Sequence, residues 1–129
     1  MVLNRSGCNI SMELFRKVKE IRAGAYITAA SVTDIFFIIR KETHDTRRLY
    51  VVMDNIFRVV SVLSVTEQDI KEAFGKKWKD FEDCVQYTTG KNNRIDYIIT
   101  ANHKDYEDDL LPVITPEAWI EMIDHTQRN

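Results

Sequence analysis

Two hydrophobic patterns take turns along the chain: stretches whose apolar residues recur at helical spacing, and short runs that are apolar at nearly every position. Leu14, Phe15, Val18 and Ile21 share one helical face, with Ser11 as cap and Gly24 as stop, and Ala25 to Thr28 reads as a short strand. Ser31 then caps a helix carrying Val32, Ile35, Phe36, Phe37, Ile38 and Ile39 almost all round, the pattern of an element buried on several sides; it stops near Arg40-Lys41. Leu49, Val52, Met53 and Ile56 make an amphipathic helix from Asp45 to about Ile56, and the β-branched run VVSVLSV predicts a buried strand. Thr66, with Asp69 three residues on, resembles a capping box for a helix that turns Ile70, Ala73 and Phe74 inward and closes at Gly75. Asp80 opens the next helix, which ends between Gly90 and Asn93. IDYIIT and LPVIT are the remaining strands, and Thr115-Pro116-Glu117 starts a helix bearing Trp119, Ile120 and Ile123.

Apolar strands separated by helices imply parallel pairing, because parallel neighbours need crossovers long enough to hold a helix. The expected fold is α/β: a three-layer α/β/α sandwich with a mainly parallel sheet, built as a single domain over residues 1–129. In such folds the helix N-termini and the strand C-termini meet at one edge, where ligand chemistry gathers.

Composition narrows the class. A content of 44% apolar residues over 129 positions fills one core, and four glycines with two prolines leave no linker. A net charge of −2 gives no global pull toward nucleic acid or membrane, so any nucleic-acid site must be local. No apolar run is long enough to span a bilayer and the N-terminus has no signal core, which points to the cytoplasm. Cys8 and Cys84 are too few and too scattered for a disulfide framework or zinc, and read as reduced thiols.

The candidate chemistry is acidic. Asp34 in the first turn of the Ser31 helix, Asp83 in the first turn of the Asp80 helix and Asp105 past the strand ending at Thr100 should all face the same edge. Gathered carboxylates repel unless cations neutralise them, and hard ions such as Mg²⁺ or Mn²⁺ prefer oxygen ligands. One reading is therefore a metal site for phosphodiester hydrolysis. The other is capping: Asp34 and Asp83 each stand three residues after a cap candidate, where an acid favours the helix dipole. Asp96, at the start of its strand, belongs to the opposite edge, and Asp80 is either cap or peripheral ligand.

The stretch KDFEDCVQYTTG…RIDYIITANHKDY with LPVITPEAWI after it resembles the C-terminal half of PIN-domain proteins, the ribonuclease fold of many bacterial toxin–antitoxin toxins, and AYITAASVTDIFFIIRK is similar to that family's second strand and the helix after it. The resemblance runs from about residue 11 to residue 123. It implies a Mg²⁺- or Mn²⁺-dependent ribonuclease with Asp34, Asp83 and Asp105 as catalytic metal ligands. Thr100 and Asn102 would be neighbours, Asn102 standing where many members have a further Asp. Lys76, Lys77 and Lys79, just before the Asp80 helix, are candidates for RNA contact, against the alternative of a solvated charged face.

PIN proteins open with an apolar strand that ends in Asp and runs through the middle of the sheet. MVLNRSGCN resembles the segment just after that strand, so the first central strand and the first acidic ligand are expected to be missing from this chain. A fragment or misassigned start, a gap filled by another segment, or lost activity would each account for it. An open gap exposes strand edges and predicts a homodimer or poor solubility. The alternative to a nuclease is a catalytically silent interaction module, still able to bind an antitoxin-like partner through the helices of residues 11 to 57. A doubly wound nucleotide-binding domain is disfavoured by the lack of a Gly-rich phosphate loop.

Overall fold

The computed structural model describes residues 2–3, 12–100, 106 and 110–127. In chain order the elements are β1 (Val2–Leu3), α1 (Met12–Ile21), β2 (Tyr26–Thr28), α2 (Ala29–Thr43), α3 (Thr46–Val59), β3 (Ser61–Leu63), α4 (Glu67–Lys76), α5 (Phe81–Asn92), β4 (Ile98–Ile99), β5 (Val113–Ile114) and α6 (Pro116–Gln127). Among the described residues the strands form one sheet in the order β3-β2-β1-β4-β5, and every pairing is parallel.

Consecutive strand residues point to opposite faces, and that alternation builds the layers. Ile27, Ile99 and Ile114 pack into one core with Leu14 and Val18 of α1, Ile35 of α2, Leu49, Met53 and Ile56 of α3, and Trp119 of α6. Their neighbours Tyr26, Ile98 and Val113 turn to the other face, where they meet Tyr87 of α5 and Leu111. There α4 joins through Ala73, which packs with Cys84 and Val85 of α5. The architecture is the three-layer α/β/α sandwich that the alternation of patterns implies.

The central strand expected to be absent is present. Val2–Leu3 lies between β2 and β4, with Val2 opposite both Tyr26 and Ile98. Three residues, MVL, are too few for a periodicity to register, so a strand this short is invisible to pattern reading. Its presence also removes the premise for the expected homodimer, since the gap in the sheet is closed.

Helix limits differ from the periodic reading where local hydrogen bonding decides. The α2 helix begins at Ala29, directly after β2, with Thr28 as its N-cap in an extended conformation. Ser31 is therefore inside the first turn, its hydroxyl 3.0 Å from that of Thr28, both buried. At the end of α1 it is Arg22, at φ 56°, that takes the left-handed position, two residues before Gly24. Likewise α4 passes through Gly75 and stops with Lys77 at φ 57°. Helix α3 runs on to Val59, and Val60 still donates to the Ile56 carbonyl, which takes the first residues of VVSVLSV from the predicted strand.

The capping box of α4 is closed in both directions: Asp69 N–H donates to the Thr66 hydroxyl at 3.1 Å and Thr66 N–H to the Asp69 carboxylate at 3.0 Å. The Asn92 amide adds a bond to the same carboxylate at 2.8 Å, tying the end of α5 to the start of α4. Burial alone would push the Asp69 carboxyl up, but the bonds from the Thr66 N–H, the Asn92 amide and the Thr66 hydroxyl outweigh it and hold the group below the usual carboxylate value. A depressed value stabilises the fold above the unfolded value of about 3.9 and loses that contribution as pH falls through the folded one. Asp69→Ala should therefore lose about 1–2 kcal/mol at pH 7. The deficit should shrink as the pH falls below about 4, which urea midpoints at pH 7 and pH 3 measure.

Candidate metal-binding edge

The chain leaves β1 toward β2 on one side and returns to β4 on the other, so the carboxyl end of β1 is a topological switch point, the place where such sheets hold ligands. Thr28 ends β2, Asn4 comes directly after β1 in the sequence, and Thr100 directly after β4. Thr28 and Thr100 are buried, and Thr100 N–H continues the ladder to the Ile114 carbonyl at 2.9 Å. Two helices begin at this edge from opposite layers: α2 continues out of β2 without a loop, and α5 runs back toward the start of β4.

Asp80 is the N-cap of α5, its carboxylate accepting the Asp83 N–H at 2.9 Å. Capping thus accounts for Asp80. Asp83 stands in the first turn and is only 1% exposed. Asp34 cannot be explained as a first-turn acid, because α2 starts three residues earlier than its sequence suggests, with Thr28 rather than Ser31 as cap. Asp34 occupies the second turn, half-buried, beyond the free N–H groups and the strongest part of the dipole. The topology thus puts the opening turns of α2 and α5, which carry Asp34 and Asp83, at the same edge from the two helical layers. Asp105 and Asn102 lie outside the described residues.

The described donors at the edge are carboxylate and hydroxyl oxygens, a set that suits a hard dication rather than zinc or copper. Among the described residues no three His, Cys, Asp or Glu side chains are gathered closely enough to hold a metal ion. A cavity of about 810 Å³ lies along α6, beside Glu117, Ile120 and Glu121, and none of the expected ligands lines it.

The three lysines do not behave alike. Lys77 and Lys79 are exposed, whereas the Lys76 ammonium lies 4.8 Å from the centre of the Tyr87 ring, a cation–π contact away from water. Tyr87 in turn sits 5.1 Å from Trp78 and 6.4 Å from Tyr106, so an aromatic cluster backs the start of α5. The KKWKD stretch contained this signal in Trp78, which charge counting passes over. Gln86 was missed too: one turn beyond Asp83, it is fully buried, which nothing in a polar residue's identity announces. Cys84 is buried as a free thiol that donates to the Ala73 carbonyl, as expected of a structural cysteine. Among the described residues no helix is long and apolar enough to cross a membrane.

Comparison with known proteins agrees with this fold. No curated protein matches the sequence. A chain of a toxin–antitoxin complex from Klebsiella pneumoniae superposes with a TM-score of 0.62 at 18% identity, over 89% of this chain and 96% of that one, a likeness of fold. The sequence profile of the PIN domain matches residues 1–104, a span that takes in β1 together with Asp34, Asp83 and Thr100, and the chain belongs to the PIN-domain family.

Proposed function

We propose that the chain is a metal-dependent ribonuclease of the toxin type, acting on RNA in the cytoplasm. What supports this reading is topology: α2 and α5 open at the carboxyl edge of a PIN-domain sheet from its two helical layers, and Asp34 and Asp83 lie in their opening turns. Asp34, Asp83 and Asp105 would hold Mg²⁺ or Mn²⁺. The chemistry that such an ion supplies when bound is activation of a water and neutralisation of charge on the phosphate. Thr100 and Asn102 would orient the edge around the scissile phosphate, and the exposed Lys77 and Lys79 would draw the RNA backbone toward it. Asn4 follows β1 in the sequence, where the resemblance expects the family's first Asp, and an amide adds no charge toward binding a dication.

Cleavage of short RNA oligonucleotides by the full chain in Mn²⁺, Mg²⁺ or EDTA tests the proposal. Cutting is expected with either metal and none with EDTA. Asn4→Asp should lower the Mn²⁺ needed for half-maximal rate by about tenfold, equivalent to roughly 1.4 kcal/mol of binding. Silence of both proteins in all three conditions would discard the nuclease reading.

In that event a protein-docking module is the second reading, and one observation favours it. Phe37 of α2 and Tyr50, Val51 and Phe57 of α3 are exposed apolar side chains, with Phe36 packed edge-on to both Phe37 and Tyr50. Such a surface suits an antitoxin-like protein. The toxin–antitoxin assembly of the structural neighbour supports the same kind of partner.

A further inference from the structure

We infer that Gln86 is a positioning residue for the acidic edge, its buried amide serving the water shell of a cation held beside Asp83; this rests on the nuclease reading above. Gln86 is 0% exposed, and among the described residues neither its carbonyl oxygen nor its amide nitrogen has a hydrogen-bond partner. Buried polar groups are almost always partnered, because an amide withdrawn from water without compensation is destabilising. An apolar side chain of the same length would fit the interior better, so a glutamine at this position points to a partner other than the described side chains.

The position on the helix indicates what that partner is. Gln86 stands three residues after Asp83 and so shares its face of α5, and helical side chains lean toward the N-terminus of their helix. The amide is thereby directed back toward the Asp83 turn and the carboxyl edge. The Thr88 and Thr89 hydroxyls also lack partners among the described residues, but they stand five and six residues after Asp83 and fall on other faces of α5. An amide offers both an acceptor for the hydrogens of ion-bound water and donors for a carboxylate, which is the support that metal ligands take from the groups behind them.

The test is Mn²⁺ binding by the full chain without RNA, measured by calorimetric titration and by thermal melts in EDTA and in Mn²⁺. Gln86→Met is expected to melt in EDTA at or above the parent temperature, since it removes an uncompensated amide, while binding Mn²⁺ about tenfold or more weakly. Gln86→Glu, which keeps the shape, is expected to melt lower in EDTA and to recover in Mn²⁺ by more than the parent gains. Unchanged Mn²⁺ affinity in Gln86→Met, or a Gln86→Glu deficit that is the same with and without Mn²⁺, overturns the positioning role and leaves the nuclease reading intact. Absence of Mn²⁺ binding by the parent overturns both.

Discussion

Asp83→Asn should abolish metal-dependent RNA cleavage while leaving the fold intact. The substitution keeps the shape of the side chain and removes only its charge, at a position 1% exposed in the first turn of α5. On the proposed function, a neutral amide at this position should reduce the cleavage rate by more than about 100-fold, beyond the roughly 10–100-fold typical for groups that merely support a ligand. Capping of α5 is not at stake, because Asp80 makes the capping bond through its own carboxylate. The circular-dichroism melt of the variant should therefore stay within a few degrees of the parent. Cleavage at the parental rate would mean that Asp83 only closes its helix. Loss of cleavage together with a collapsed melt would mean that its charge holds the fold.

Asp34→Asn separates the same alternatives on the opposite layer. Its second-turn position lies beyond the strongest part of the helix dipole, so on the proposed function the effect expected from this substitution is weaker metal binding rather than a lost dipole contact.

Legibility of the fold in the sequence tracks the strength of each local signal. The Thr66–Asp69 pair and the Asp80 cap are side-chain-to-backbone bonds between residues three apart, and the structure contains both of them. The layers were legible because Ile98-Ile99 and Val113-Ile114 are apolar on both sides, as strands covered by helices on two faces must be. The start of β1 was not, because its two paired residues acquire strand geometry from β2 and β4, which lie far along the chain. Ser31 misled for a related reason: Thr28, the last residue of β2, is already extended and takes the cap, drawing Ser31 into the helix. Asp83 was legible as a first-turn acid, but its burial arises from the sheet beneath α5 and from α4 beside it, which no spacing records. Gln86 shows the same limit more sharply, since a glutamine on a helix reads as a solvated side chain until neighbouring elements close over it.

Trp119→Ala should be the most damaging single substitution for stability. Trp119 is the largest fully buried side chain among the described residues, and it joins the core that α1, α2 and α3 build on one face of the sheet. Its indole N–H donates to the Tyr97 hydroxyl, linking α6 to the segment that leads into β4, and Lys17 on α1 pairs with Asp124 on α6. Truncating a buried tryptophan to alanine typically costs about 3–5 kcal/mol, against about 5–15 kcal/mol for the total stability of a domain. At about 2 kcal/mol per molar urea, the midpoint should fall by roughly 2 M. Because α6 lies beyond the residues that match the PIN domain, a loss of this size would establish that the helix closes the core of the domain rather than decorating it. A loss under about 1 kcal/mol would instead mean that the remaining core folds with α6 loosely docked. Metal-dependent cleavage should then survive in Trp119→Ala at temperatures below its melt, since neither Asp34 nor Asp83 lies on α6.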